Sequence, residues 1–125
     1  MPSVLIADDG SEIRKLVRKV IETIPGYSVC GEAVDGLDAV KKARALAPDL
    51  LILDLAMPKM NGLDAARVIR TTGSRVPIIL FTLHADILSA SQVSAAGIDA
   101  IVPKTGDVEG LLHEVERLLS PGWHN

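Results

Sequence analysis

Leu50-Leu51-Ile52-Leu53-Asp54 decides the fold of this 125-residue chain. Four apolar residues in a row, without alternation, read as a strand buried on both faces, and an acid stands at its end. Outward from it the pattern recurs. Val4-Leu5-Ile6-Ala7 stops at Asp8-Asp9, Ile78-Ile79-Leu80-Phe81 stops at Thr82, and Ala100-Ile101-Val102 is followed, after Pro103, by Lys104. Strands buried on both faces belong to parallel sheets. The C-terminal ends of such strands share one edge, where open α/β sheets bind ligands. Three carboxylates, a hydroxyl and an ammonium are therefore expected to meet in one shallow cleft.

Helical patterns fill the gaps between the strands. Ile13, Leu16, Val17, Val20, Ile21 and Ile24 recur at helical spacing from a start near Ser11, and Pro25-Gly26 ends that helix. Tyr27 and Val29 alternate in a half-exposed strand. Asp35 is placed to cap a helix that turns Leu37, Val40 and Ala43 inward and ends before Pro48. Leu63, Ala66 and Ile69 line a third helix, and the strand after it is expected over Val76–Phe81. A fourth helix, capped by Asp86 and ended by Gly97, has poor periodicity in Ile87, Leu88 and Val93. Asp107 is placed to cap a last helix striped by Val108, Leu111, Leu112, Val115, Leu118 and Leu119. Five strands alternating with five helices predict a doubly wound α/β fold with a five-stranded parallel sheet. Right-handed crossovers cover both faces only if the chain reverses beside the first strand, so the crevice opens between strands one and three.

Composition narrows the class. Aromatic residues are only 2% of the chain, so the core is built of Leu, Ile, Val and Ala. A net charge of −3 gives no electrostatic footprint for nucleic acid. The single Cys30 has no partner for an internal disulfide and fits a reducing compartment. No leader pattern and no membrane-length apolar run is evident, which predicts a soluble, cytoplasmic domain. Residues 1–120 are expected to form one domain, with 121–125 as a tail or the start of a linker.

Two carboxylates about 5 Å apart repel by about 3 kcal/mol at an effective dielectric near 20. A cluster of three favours a raised pKa or a bound cation. Hard oxygen donors in a small open cleft suit Mg²⁺, which keeps several waters and accepts phosphate oxygens. Lys104 adds positive charge at the phosphoryl end, and Thr82 adds a hydroxyl donor. An aspartate in such a place can act as a nucleophile that forms an acyl phosphate.

Asp8-Asp9, Asp54-Leu55-Ala56-Met57-Pro58-Lys59-Met60-Asn61-Gly62, Thr82 and Lys104, each after a strand and in this order, resemble the receiver domain of bacterial two-component response regulators. The resemblance covers roughly residues 3 to 119. It implies a flavodoxin-like (βα)5 fold with strand order 2-1-3-4-5, and Asp54 as the phosphoacceptor. It implies a Mg²⁺ site made by Asp9, Asp54 and the Ala56 carbonyl, with Asp8 assisting through water. Thr82 and Lys104 would contact the phosphoryl group. The implied partners are a sensor histidine kinase or phosphotransfer protein as donor, an output domain or downstream protein, and a second copy in a homodimer. Phosphorylation would switch the conformation, and slow self-dephosphorylation would reset it. No membrane and no direct nucleic-acid contact is implied for this domain.

Some positions depart from the family pattern. Ile101 stands where Tyr or Phe is common, and Thr105 follows the lysine where proline, across a cis bond, is common. A cis Lys104–Thr105 bond costs about 2.5–4 kcal/mol, so trans is predicted. His84 reads as a solvated loop residue, and His113 as an exposed helix residue. Arg14, Lys15, Arg18 and Lys19 read first as a solvated basic face, with docking of a kinase or phosphotransfer bundle as the alternative. Three other functions compete. A flavin module needs a phosphate cradle after strand one, where acids stand instead. A Mg²⁺ phosphatase or nuclease lacks an Asp-x-Asp pair there. A receiver that never phosphorylates conflicts with the complete acid, threonine and lysine set.

Overall fold

The computed structural model describes residues 2–105 and 108–120. The elements are β1 (Ser3–Ala7), α1 (Ser11–Glu22), β2 (Ser28–Ala33), α2 (Gly36–Leu46), β3 (Leu50–Leu53), α3 (Gly62–Thr71), β4 (Ile78–Thr82), a 3-10 turn (Ala85–Ile87), α4 (Ala90–Ala95), β5 (Ala100–Pro103) and α5 (Glu109–Leu118). All neighbouring strands pair in parallel, in the order β2-β1-β3-β4-β5. The expected reversal beside β1 is present.

Alternation along each strand divides the core into two layers. Leu5, Ala7, Leu51, Leu53, Ile78 and Leu80 join Ala39 of α2 and Ala65, Ala66 and Ile69 of α3 on one side. Val4, Ile6, Leu50, Ile52, Ile79 and Phe81 join Val17 and Ile21 of α1 and Leu111, Val115 and Leu118 of α5 on the other. The central strands bury every residue of β3 and β4. These two strands carry no polar side chain until Thr82 and Asp54 at the shared edge.

Several sequence expectations shift in register. β4 begins at Ile78 instead of Val76, because Pro77 has no N–H for the ladder; its carbonyl still accepts from Leu51 N at 2.9 Å. Leu37 is 45% exposed, not inward. The rotation of α2 is set by Gly36, where a Cβ would come within 2.0 Å of the Met60 carbonyl oxygen. With Gly36, Ala39, Val40 and Ala43 facing in, Leu37 is turned out. Leu16 is likewise exposed, off the stripe formed by Val17, Val20 and Ile21. Asp35 caps α2 as expected, accepting from Asp38 N at 2.7 Å.

The largest correction concerns α4. Asp86 does not cap it, but lies in the short 3-10 turn. Ser89 is the cap, in a reciprocal box with Gln92: the Ser89 hydroxyl accepts from Gln92 N at 3.1 Å, and the Gln92 side chain accepts from Ser89 N at 2.9 Å. α4 spans only six residues and none of them is buried. The expected cap Asp107 lies outside the described residues. No cis peptide bond occurs among the described residues, so Lys104–Thr105 is trans as predicted.

Candidate functional site

Backbone ladders deliver the acids to one place. Asp54 N donates to Ala7 O at 2.9 Å, and Asp8 N donates to Ala33 O at 3.0 Å. Each bond carries the sheet one residue beyond its strand, so Asp8 and Asp54 leave adjacent strands side by side. Lys104 N donates to Thr82 O at 2.9 Å and brings the β5 end to the β4 end in the same way.

The side chains converge as the strand-end pattern predicts. Asp8, Asp9 and Asp54 each offer one carboxylate oxygen, all within 4.8 Å of one another. The Lys104 ammonium lies 2.5 Å from Asp8 Oδ2 and 3.2 Å from Asp54 Oδ2. It also stands 5.9 Å from the centroid of the Phe81 ring. Asp8 is further held through Oδ1, which accepts from Gly10 N at 2.8 Å. Asp8 and Asp54 are buried, whereas Asp9 is exposed and has no protein partner among the described residues. Asp9 is therefore the acid most open to an incoming cation.

Charge is unbalanced here: three carboxylates face one ammonium. The Asp54 carboxyl is pushed up from its ordinary value, first by burial and then by the Asp8 charge. Lys104 acts in the opposite direction but does not cancel these causes. A raised acid with a second acid beside it is an arrangement completed by a cation. The donors are hard oxygens in an open cleft, which fits Mg²⁺ better than softer metals.

Thr82 and Ala56 are placed differently from the acids. Thr82 is fully buried, and its hydroxyl oxygen accepts from His84 N at 3.1 Å. That bond uses the oxygen as acceptor and leaves the hydroxyl proton to be donated elsewhere. No hydrogen bond joins the Thr82 side chain to the acids or to the Lys104 ammonium. Ala56 is exposed on the loop after β3, as are His84 after β4 and His113 on α5. The β3–α3 loop is fastened by Gly62, whose N–H donates to Leu55 O at 2.8 Å. It is fastened again by Lys59, which takes a left-handed φ of 68° and pairs with Asp35 at 3.7 Å.

Sequence reasoning missed Arg14 and Glu32. Arg14 Nη1 donates to the Asp8 carbonyl at 2.8 Å, and its Nε donates to Glu32 Oε1 at 2.8 Å. Arg18 grips Glu32 Oε2 from Nε and Nη2 at 2.9 and 2.7 Å. Half of the supposed solvated basic face is thus engaged inside the molecule. The available signal was Glu32 itself, a charge inside an otherwise uncharged strand opposite two arginines spaced four apart. Phe81, the last residue of an apolar strand run in the sequence, also stands by the Lys104 ammonium.

Residues 4–116 match the family model of the response regulator receiver domain. The chain belongs to this family. The receiver domain is 38% identical over 117 residues to a protein-glutamate methylesterase/protein-glutamine glutaminase of Nocardioides sp., an overlap of 92% of the chain and 32% of that protein. It is 38% identical over 104 residues to the response regulator UvrY of Escherichia coli K12, covering 83% of the chain and 48% of UvrY. It therefore spans less than half of the length of these curated relatives. The response regulator TrrA of Thermotoga maritima, solved in complex with Mg(2+)-BeF, superposes with a TM-score of 0.85 at 33% identity, covering 95% of this chain and all of that one. The flavodoxin-like strand order and the Asp8, Asp9 and Asp54 cluster are those of a two-component receiver. Among the described residues, no helix is long and apolar enough to cross a membrane.

Proposed function

We propose that the receiver domain takes a phosphoryl group onto Asp54, with Mg²⁺ held by Asp9, Asp54 and the Ala56 carbonyl and assisted by Asp8. One observation carries the reading: three carboxylate oxygens lie within 4.8 Å beside a lysine ammonium that spans Asp8 and Asp54. When bound, Mg²⁺ supplies charge neutralisation for the acids and for the phosphoryl oxygens.

Asp54 is the nucleophile. A carboxylate oxygen attacks phosphorus, the bond from phosphorus to the donor imidazole nitrogen breaks, and an acyl phosphate forms. Lys104 is already positioned by Asp8 and Phe81, so it exchanges its Asp54 contact for a phosphoryl oxygen without a large movement. Thr82 donates the hydroxyl proton that its bond to His84 N leaves free. Water later attacks phosphorus, the bond from phosphorus to the Asp54 oxygen breaks, and inorganic phosphate leaves with Asp54 restored as a carboxylate.

The donor is a phosphohistidine on a sensor kinase or phosphotransfer protein. The phosphorylated form acts on an output domain or downstream protein, with homodimerisation as one route. The unit spans residues 1–120, with 121–125 as a tail or linker, and works in the cytoplasm without contacting nucleic acid itself. Incubation with acetyl phosphate and Mg²⁺ followed by intact-mass measurement tests the reading. One phosphate per chain is expected, absent in Asp54→Asn and in chelator. Unmodified native protein, or equal modification of Asp54→Asn, would overturn it.

A further inference from the structure

We propose that Arg14 is a positioning residue for the cation site, aiming Asp9 by holding the peptide in front of it. This rests on the Mg²⁺ reading above.

Asp8 is tied at four points: its N–H to Ala33 O, Oδ1 to Gly10 N, Oδ2 to Lys104, and its carbonyl to Arg14 Nη1. The carbonyl of Asp8 and the N–H of Asp9 belong to one planar peptide unit. A guanidinium fixed at that carbonyl therefore sets the plane from which Asp9 departs. Asp9 has no side-chain partner of its own among the described residues, so the direction of its carboxylate depends on backbone placement. Arg14 is the contact that reaches across the β1–α1 turn to fix it.

The arginine is itself held in place. Its side chain is only 16% exposed, and its Nε is bound to Glu32 on the edge strand β2. Glu32 is oriented in turn by Arg18, and Lys42 donates to the Glu32 carbonyl at 2.5 Å. Glu32 also answers an electrostatic problem. A bare guanidinium near the acid cluster would repel a divalent cation, and the carboxylate offsets that charge while the fork stays in place. The guanidinium suits the task because two donors diverge from one planar group toward two acceptors. An ammonium has three donors but no planar fork, so on its flexible stem it does not hold the same two directions.

Magnesium calorimetry on the full chain separates positioning from simple charge. Charge alone predicts that Arg14→Met, which removes a cation but keeps an apolar stem, binds Mg²⁺ more tightly, and that Arg14→Lys changes nothing. Positioning predicts the opposite sign. Arg14→Met should weaken Mg²⁺ by about tenfold, and Arg14→Lys should weaken it by a smaller factor. Glu32→Gln should weaken it too, and the double variant Arg14→Met/Glu32→Gln should fall no further than Arg14→Met, because both break one link. If Arg14→Met does not fold, Arg14→Lys decides by the same comparison. Unchanged or tighter binding in the deciding arginine variant would overturn the inference while leaving the Mg²⁺ site intact. Wild-type protein that binds no Mg²⁺ at all would instead remove the site, and the inference with it.

Discussion

At the scale of single residues, the site is built against its own stability. Asp54 is buried beside Asp8, and both burial and that neighbour raise its pKa above the ordinary carboxylate value. An acid with a raised folded-state pKa binds its proton more tightly folded than unfolded. Ionising it therefore costs stability above the folded value, and the cost is absent below the unfolded value of about 3.8. Asp54→Asn removes the cost and keeps the shape, while Lys104 retains Asp8 as a partner. In metal-free buffer at neutral pH, Asp54→Asn should thus melt a few degrees above the wild type. The difference should shrink as pH falls through the raised value toward 3.8. Thermal melts with chelator across this range check it, and a gain that is absent or independent of pH would contradict the account. Such a gain is the usual mark of a residue kept for function at the expense of stability.

At the scale of elements, the strands were legible and α4 was not, for physical reasons. A strand buried on both faces needs an unbroken apolar run, and its end must be polar where it meets water. Leu50–Leu53 before Asp54 carries both signals at once. The same pattern pointed to Asp8, Asp9 and Lys104 at the ends of their strands. α4 buries none of its residues, so no apolar period exists to be read, and its cap is one serine among several. The outward turn of Leu37 was hidden because a backbone contact at Gly36, made by a loop distant in sequence, sets the rotation of α2. Gly62 shows the same kind of constraint beside Asp54. A Cβ there would stand 2.1 Å from the Asp54 carbonyl oxygen and 3.0 Å from Leu55 Cα. Gly62→Ala must push α3 away from the end of β3, costing about 2–3 kcal/mol as an overpacking change. Phosphorylation of the folded fraction should fall as well, because the Asp54 backbone moves with it. Urea melts together with intact-mass kinetics measure both, and wild-type values in either would rule out the tight seat.

At the scale of the whole molecule, packing is uneven in a way that suits a switch. The central strands β3 and β4 are wholly buried, whereas α4 has no buried residue and follows a 3-10 turn with Ile87 67% exposed. A groove of about 840 Å³, lined by Arg70, Arg75, Leu88, Val93, Ile98 and Ile101 among others, opens along α4 on its α3 side. A segment with few buried contacts opens at low free energy, and ligands act by shifting populations that such segments already sample. The link to the site is short. Thr82 holds the start of the following loop through His84 N, and Lys104, just past β5, donates its N–H to the Thr82 carbonyl. A phosphoryl group that draws on the Thr82 hydroxyl and the Lys104 ammonium therefore acts on both ends of the segment from 84 to 103. Hydrogen exchange in this region should be fast in the free domain relative to β1 and β3. With Mg²⁺ and beryllofluoride it should change across 84–105 while the α2 amides distant from the site stay as they were. Exchange across 84–105 that is indifferent to the mimic, in protein shown by mass or fluorine spectra to have bound it, would mean that the weak packing of α4 has no part in signalling.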